Sequence, residues 1–338
     1  MTRVLLTGAG GFVGSHVLEH LLTVTPWQVI ATDSFRHKGK TDRIAQVLER
    51  KPHWRPRVSV VTHDLSAPLS EQTVYQTRPL DYIIAVASES HVARSISDPV
   101  PFIRNNVNVA LTTLEFAREV KPKAVIWVST DEVYGPEPFV DGQLVPQEEW
   151  APILPSNPYS ASKAAQEAIA FSYWRTYGVP TVIVNCMNMF GERQDPEKFL
   201  PMLIRGISAG ATVTIHGSEL EMGTRHYLHA RNLADGIVYI LRELPPAAYG
   251  AADRPDRYNV VGPDRISNLD LAHKVAKILG RPLHFRLVDF QSARPGHDAH
   301  YGLNPAKLTA AGWKPPVDFE ESLQRTVRWS LINNEWLL

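Results

Sequence analysis

The chain has a single cysteine, Cys186, in 338 residues. It cannot form an internal disulfide, so the thiol reads as a packing residue and a reducing compartment suits the chain. Also missing is an uninterrupted apolar run of ~20 residues, the length a membrane-spanning helix needs. No secretory pattern fits the start, because Val4-Leu5-Leu6 runs straight into Gly8-Ala9-Gly10-Gly11. Net charge is absent as well: 35 basic and 35 acidic residues cancel and are spread without long blocks, which argues against nucleic acid or an anionic membrane as partner. The one basic cluster with an aromatic, Arg50 to Arg57, contains two prolines and reads as a solvated loop. There are no repeats and no low-complexity tract. What remains is the expectation of a soluble, cytoplasmic, small-molecule enzyme.

What is present is a 44% hydrophobic composition, enough for a substantial core. Short β-branched runs recur at Val4 to Leu6, Val29 to Ala31, Val58 to Val61, Ile83 to Val86, Val125 to Val128 and Val182 to Val184. Helical periodicity separates them, at Val13 to Leu22, Ile44 to Leu48, Val107 to Val120 and Ala161 to Tyr177. This alternation predicts an α/β fold: a Rossmann-type, doubly wound parallel sheet covered on both faces. After about residue 190 prolines break the pattern into shorter pieces, with helices expected at Phe199 to Ser208, Asn232 to Arg242, Asn268 to Leu279 and Phe319 to Leu331. The division expected is a cofactor domain over 1–188, rejoined by about 226–262, and a smaller, irregular substrate domain over 189–338.

Thr7-Gly8-Ala9-Gly10-Gly11-Phe12-Val13-Gly14 follows the first strand and opens the first helix. Glycines at 8, 11 and 14 supply a tight turn, bare backbone for a pyrophosphate and close helix–strand packing, and the helix start offers free amides. Asp33 follows the second strand nineteen residues after Gly14, placed to accept hydrogen bonds from an adenosine ribose. A dinucleotide site follows, and Asp33 favours NAD over NADP because it repels a 2′-phosphate. Arg36, Lys38 and Lys40 lie close enough in sequence to weaken that preference. Asp64 and Leu65, after the third strand, border the adenine or form an ordinary strand-end turn. His16-Val17-Leu18-Glu19-His20 matches a zinc-protease pattern; on a helix that must pack on the sheet and serve a pyrophosphate, it reads as two solvent-facing histidines, and no metal site is expected.

Asp131 and Glu132 come directly after the apolar run Ala124 to Val128, where an α/β enzyme presents chemistry to the crevice beyond its strands. Asn157-Pro158-Tyr159 reads as a capped helix start, which places Tyr159 and Lys163 one turn apart on one face. An ammonium beside a phenol is expected to lower its pKa from about 10, suiting a tyrosine that takes a proton from a sugar hydroxyl.

With these motifs the sequence resembles the extended short-chain dehydrogenase/reductase family, and within it the nucleotide-sugar 4,6-dehydratases, above all those acting on dTDP-glucose. The similarity runs nearly end to end, through Thr7 to Gly14, Glu89 to Val92, Ser129 to Gly135, Pro158 to Lys163, Pro196 to Lys198, Arg294 to Asp298 and Gly312 to Pro315. The Thr130-Asp131-Glu132 tripeptide separates dehydratases from related epimerases. The resemblance implies that Tyr159, aided by Lys163 and Thr130, removes the O4 proton while NAD takes hydride from C4. Glu132 then takes the C5 proton, Asp131 protonates the departing C6 hydroxyl, and hydride returns to C6. For that, Asp131 needs a raised pKa. It further implies cofactor contacts from Val86 to Glu89, including Ala87, and substrate contacts from Ser90, Thr130, Asn188, Lys198, Arg225, Asn259, Arg294 and His297, with Lys198 and Arg225 facing the pyrophosphate. A homodimer through helices near 100 to 120 and 159 to 177 is implied by the same analogy.

Ala93, Met189, the stretch Gly217 to Tyr227 and His229-Ala230-Arg231-Asn232 depart from the dehydratase pattern. They leave the base and the hexose open. The alternatives are an epimerase working through a 4-keto intermediate and a non-enzymatic cofactor-sensing protein.

Overall fold

The computed structural model describes residues 1–218, 222–289 and 298–338. Strands β1 (Arg3–Thr7), β2 (Gln28–Asp33), β3 (Val58–Thr62), β4 (Tyr82–Ala85), β5 (Ala124–Thr130), β6 (Thr181–Cys186) and β7 (Asp256–Val260) form one sheet. Its order is β7-β6-β5-β4-β1-β2-β3, and every pairing is parallel. The chain reverses direction across the sheet between β1 and β4, so a crevice opens beyond the carboxyl ends of those two strands. The predicted α/β class and doubly wound sheet are what the structure contains. The first six expected strands lie within or overlap β1 to β6; β7 escaped notice because its Arg257 and Asn259 interrupt the apolar run.

The helices around the sheet are α1 (Phe12–Val24), α2 (Thr41–Arg50), α3 (Glu71–Thr77), α4 (Val92–Ser97), α5 (Pro99–Val120), α6 (Pro158–Tyr177), α7 (Phe199–Ser208), α8 (Ala230–Glu243) and α9 (Asn268–Leu279). Side chains alternate between the two faces of the sheet. Val4 and Leu6 pack with α1, α2 and α8, whereas Leu5, Val125 and Trp127 pack on the other face with α5 and α6. All seven residues of β5 are buried, as its central place requires. A second core joins α7, α9 and the helix Phe319–Ile332 through Leu203, Ile204, Leu271, Val275, Leu323 and Val327.

Two expectations fail in this part of the molecule. The Arg50 to Arg57 cluster contains a short 3-10 helix, Pro52–Arg57, that buries Trp54, and Arg57 is anchored to the carbonyls of Leu22 and Thr25 at the end of α1. The histidines of α1 do not face solvent either. The helix is clasped between the sheet, α8 and the segment after β6, so His16 is 4% exposed and donates from Nε2 to the Glu192 carbonyl (2.8 Å), while His20 faces Asp235 (3.3 Å). His229 completes a buried group with His16 and Glu192. Its Nδ1 accepts from the Arg231 amide (3.0 Å), so Nε2 carries the proton and donates to Glu192 Oε2 (3.0 Å). Both ring nitrogens that face Glu192 are therefore donors, which makes the group a hydrogen-bonded brace around the Glu192 carboxylate with no imidazole lone pair turned toward it.

Candidate active site

One cavity of about 500 Å³ occupies the crevice. It is lined by Gly8, Gly11, Phe12, Val13 and Gly14 from the glycine turn, by Asp33, by Asp64 and Leu65 and by Ala87. Ser90, Thr130, Asp131, Glu132, Tyr159, Lys163, Asn188, Lys198 and Arg225 complete the predicted set within it. Asn259 is not among the lining residues: it lies fully buried in β7, donating to the carbonyls of Gln147 (3.1 Å) and Asn304 (3.2 Å), and its work is to hold those loops. Arg294 and His297 fall outside the described residues.

The glycine turn has the shape its spacing predicted. Gly8 adopts φ +69°, and a Cβ on Gly14 would lie 2.0 Å from the Gly8 carbonyl oxygen, so only glycine lets α1 start this close to β1. Helix α1 begins at Gly11 with no side-chain cap, which leaves its first amides directed at the cavity for an anion. Asp33 accepts from the Gly10 amide through Oδ2 and from the Phe35 amide through Oδ1, both at 2.9 Å. The neighbouring cations are all committed elsewhere. Arg36 pairs with Asp64 (2.6 Å), Lys38 with Glu197 (2.6 Å), and Lys40 lies over the Trp336 ring. His37 faces Glu89 at 3.5 Å. The loop between β2 and α2 is thus tied to three separate walls of the cavity, and each of these side chains already has a partner within the protein.

Thr130 ends β5 and caps the 3-10 turn Asp131–Tyr134. Its hydroxyl donates to Asp131 Oδ1 (2.9 Å), accepts from the Glu132 amide (3.3 Å), and partly offsets the rise in the Tyr159 pKa. Burial raises the Asp131 carboxyl to about 6, with Thr130 and Arg225 pulling it down. Burial and the charge of Asp131 raise Glu132 to about 7. Two adjacent carboxyls in this setting resist double ionisation, so near neutrality the pair holds one proton. Asp131 Oδ2 is buried with no hydrogen-bond partner among the described residues, on a residue that lines the cavity. This is the arrangement of an oxygen reserved for a ligand hydroxyl.

Helix α6 starts at the Asn157 cap read from the sequence, and the structure makes it a capping box: Asn157 Oδ1 accepts from the Ser160 amide, and Ser160 Oγ accepts from the Asn157 amide. Tyr159 and Lys163 then line the cavity. The expected lowering of the phenol pKa is overturned: burial, then Glu132, hold Tyr159 well above its ordinary value. The cause is visible in the contacts of Lys163. Its ammonium donates to the Val128 carbonyl (2.9 Å) and to Gln166 Oε1 (2.8 Å), while the phenol sits among Glu132, Cys186 and Asp131. Burial lowers Lys163 itself to about 8. Cys186 also lines the cavity; burial pushes its thiol up to about 12, so it packs and does not react.

Lys198 reaches the Ser90 carbonyl at 3.5 Å, and burial holds its pKa below the ordinary lysine value. Arg225 is placed differently from expectation. Its guanidinium donates to the carbonyls of Thr224, Asp298 and Ala299 and stacks on Tyr301 at 4.5 Å, so it acts on the carboxylate pair as a fixed positive field. Tyr301 was missed. Its ring lines the cavity beside Glu132, and its only signal was a place just beyond the Arg294 to Asp298 motif. Glu89, the last residue of the expected Val86 to Glu89 stretch, lines the cavity, as does His37, which had no signal beyond adjacency to predicted contacts.

Comparison with known proteins adds names to this geometry. The family model described as "NAD dependent epimerase/dehydratase family" matches residues 4–260. A probable dTDP-glucose 4,6-dehydratase of Sinorhizobium fredii (strain NBRC 101917 / NGR234) is 33% identical, covering 99% of this chain and 94% of that protein. The dTDP-glucose 4,6-dehydratase 1 of Escherichia coli (strain K12) is 30% identical over the same shares. Among solved structures, the dTDP-glucose 4,6-dehydratase DesIV of Streptomyces venezuelae, with NAD bound, superposes with a TM-score of 0.85 at 32% identity, covering 99% of this chain and 98% of that one. The UDP-glucose 4-epimerase of Thermus thermophilus, in complex with NAD, gives 0.81 at 27% identity, covering 97% and 98%.

Proposed function

The chain belongs to the NAD dependent epimerase/dehydratase family, and we propose that it is an NAD-dependent nucleotide-hexose 4,6-dehydratase, forming a 4-keto-6-deoxy sugar with loss of water. The observation that carries this reading is the buried Asp131–Glu132 pair, both members raised toward neutrality, directly following Thr130 and beside Tyr159. Simple epimerisation has no use for two such groups. Dehydration needs both: a base for the C5 proton and an acid for the C6 hydroxyl.

The residues fit NAD through the glycine cradle at Gly8, Gly11 and Gly14, the uncapped start of α1, Asp33 at the ribose, Asp64 and Leu65 at the adenine, and Ala87, Tyr159 and Lys163 toward the nicotinamide. Bound there, NAD supplies the acceptor for hydride from C4 and the donor that returns it to C6. Tyr159 accepts the O4 proton as phenolate, a form opposed by burial and Glu132 that the positive charge of NAD, when bound, would favour. Glu132 takes the proton from C5, acidified by the neighbouring ketone, and Asp131 gives its proton to the C6 hydroxyl as water. Lys198, Ser90 and Asn188 hold the nucleotide sugar, with Arg225 setting the field around the carboxyls.

In this reading residues 1–188, with 226–262 returning to the sheet, carry the cofactor, and 189–338 carry the nucleotide sugar. Among the described residues no helix is long and apolar enough to cross a membrane; a cytoplasmic homodimer through α5 and α6 is part of the proposal, supported by their exposed Leu111 and Tyr177. The test is mass spectrometry of products from a panel of nucleotide hexoses. Loss of one water supports dehydration, whereas unchanged mass with altered configuration would replace it with epimerisation.

A further inference from the structure

We propose that Glu167, Asn185 and Arg257 form a buried positioning unit that fixes the carboxylate-bearing turn against the helix carrying Tyr159 and Lys163. None of the three lines the cavity. All are at most 1% exposed. Asn185 Nδ2 donates to the Thr130 carbonyl (3.0 Å), immediately before Asp131, and to Glu167 Oε1 (2.9 Å). Arg257 pairs with Glu167 Oε2 and donates to Tyr134 Oη (3.0 Å), at the far end of the same turn. Tyr134 in its turn reaches Asn185 Oδ1 at 3.4 Å and the Glu149 carbonyl at 2.9 Å.

The entry and exit of the Asp131–Tyr134 turn are therefore held by one unit, and that unit is rooted in α6 one turn beyond Lys163. It spans three sheet neighbours and the helix that bring acid, base and phenol together. A buried ion pair is a poor source of stability, because desolvation cancels most of the attraction; its use here is to set a distance. Small displacements between catalytic groups are costly in rate. Glu167 has a second effect, since its charge offsets the burial that lowers Lys163.

The inference rests on the dehydratase reading, and its test separates the two. Asn185→Ala removes the clamp on the Thr130 carbonyl; Glu167→Gln with Arg257→Met removes both buried charges together and keeps an acceptor for Asn185. Each purified holoenzyme is checked by thermal melting and followed in single turnover. C4 oxidation, read from reduced-cofactor absorbance, is expected to proceed at near the wild-type rate while water loss slows about tenfold, so that reduced cofactor accumulates, with KM changed by less than about threefold. In the double variant the alkaline limb of kcat/KM moves to lower pH. Folded variants with wild-type partition between the two steps, or with KM rising as kcat falls, would overturn the inference while leaving an active wild type as a dehydratase. A wild type that dehydrates no nucleotide hexose would sink both.

Discussion

The side chain of Asn157 is shared between the base and the helix that carries the phenol: Nδ2 donates to Glu132 Oε2 at 3.2 Å, while Oδ1 accepts from the Ser160 amide at 2.9 Å. One residue thus caps α6 and steadies the ionised form of Glu132, since this bond lowers its pKa. Asn157→Asp keeps the cap acceptor but loses the donor and adds a like charge. The acid limb of kcat/KM, where the base must ionise, is expected to move up by about one pH unit. A pH–rate profile with an unmoved acid limb contradicts the link.

Asp131→Asn and Glu132→Gln should separate the steps of the reaction. Neither touches the proton transfer from O4, so reduced cofactor should still form with substrate. Water loss should fall by roughly 10²–10⁴-fold in each, and solvent deuterium should enter C5 with Asp131→Asn far more readily than with Glu132→Gln. Equal exchange in the two variants would show that the acid and base are assigned wrongly.

The pair also sets a narrow pH window. Below about 6 both carboxyls are protonated and the base is lost; above about 7 both ionise and the acid is lost; between them Asp131 ionises the more readily, so the productive form, with the proton on Asp131 and Glu132 ionised, is the minor arrangement of the shared proton. The kcat/KM profile should be bell-shaped with its summit between those values, falling about tenfold per unit on each side. A flat profile across neutrality rules out a shared proton.

Stability carries the opposite sign. Asp131 ionises near 3.8 when unfolded and near 6 when folded, so between those values the folded state holds more protons and loses stability as pH rises. At neutral pH this costs on the order of 1–3 kcal/mol. Asp131→Asn should melt a few degrees higher than wild type at neutral pH and coincide with it near about pH 4. Identical melting curves at both pH values would refute the burial cost.

Gly14→Ala tests the cradle. Its Cβ would stand 2.0 Å from the Gly8 carbonyl oxygen and 2.7 Å from the Gly8 carbonyl carbon, both backbone atoms of a turn that cannot retreat from β1. Cofactor affinity should drop roughly 10–100-fold, read from the NAD content of the purified protein and from titration calorimetry. Full NAD occupancy in the variant would show the turn to be more yielding than its contacts indicate.

Features set by neighbours in sequence were legible beforehand. The glycine turn, the Asn157 cap and the i, i+4 pair Tyr159 and Lys163 each depend on a few adjacent residues, and helices Phe199–Ser208 and Asn268–Leu279 end where periodicity and capping place them. Features set by packing between distant segments were not. His16 is buried because a segment 176 residues away folds over it. Arg225 lines the cavity, but carbonyls more than 70 residues on claim its guanidinium. The phenol of Tyr159 is raised by burial and by Glu132, and Lys163, bonded to Val128 and Gln166, does not offset them. In each case local chemistry named the residue correctly and a remote partner decided what it does.

The loop tied down by Arg36, His37 and Lys38 bears on time as well as on binding. The exposed Arg36 and Lys38 pairs each contribute less than about 1 kcal/mol by themselves, but with the His37 contact to Glu89 the three grip different walls of the cavity. The reaction restores its oxidant at the end of every cycle, so nothing in turnover asks the loop to open. Cofactor residence is therefore expected to lengthen with these contacts and to shorten as salt screens the Arg36 and Lys38 pairs, while catalytic tempo follows the proton transfers among Tyr159, Asp131 and Glu132.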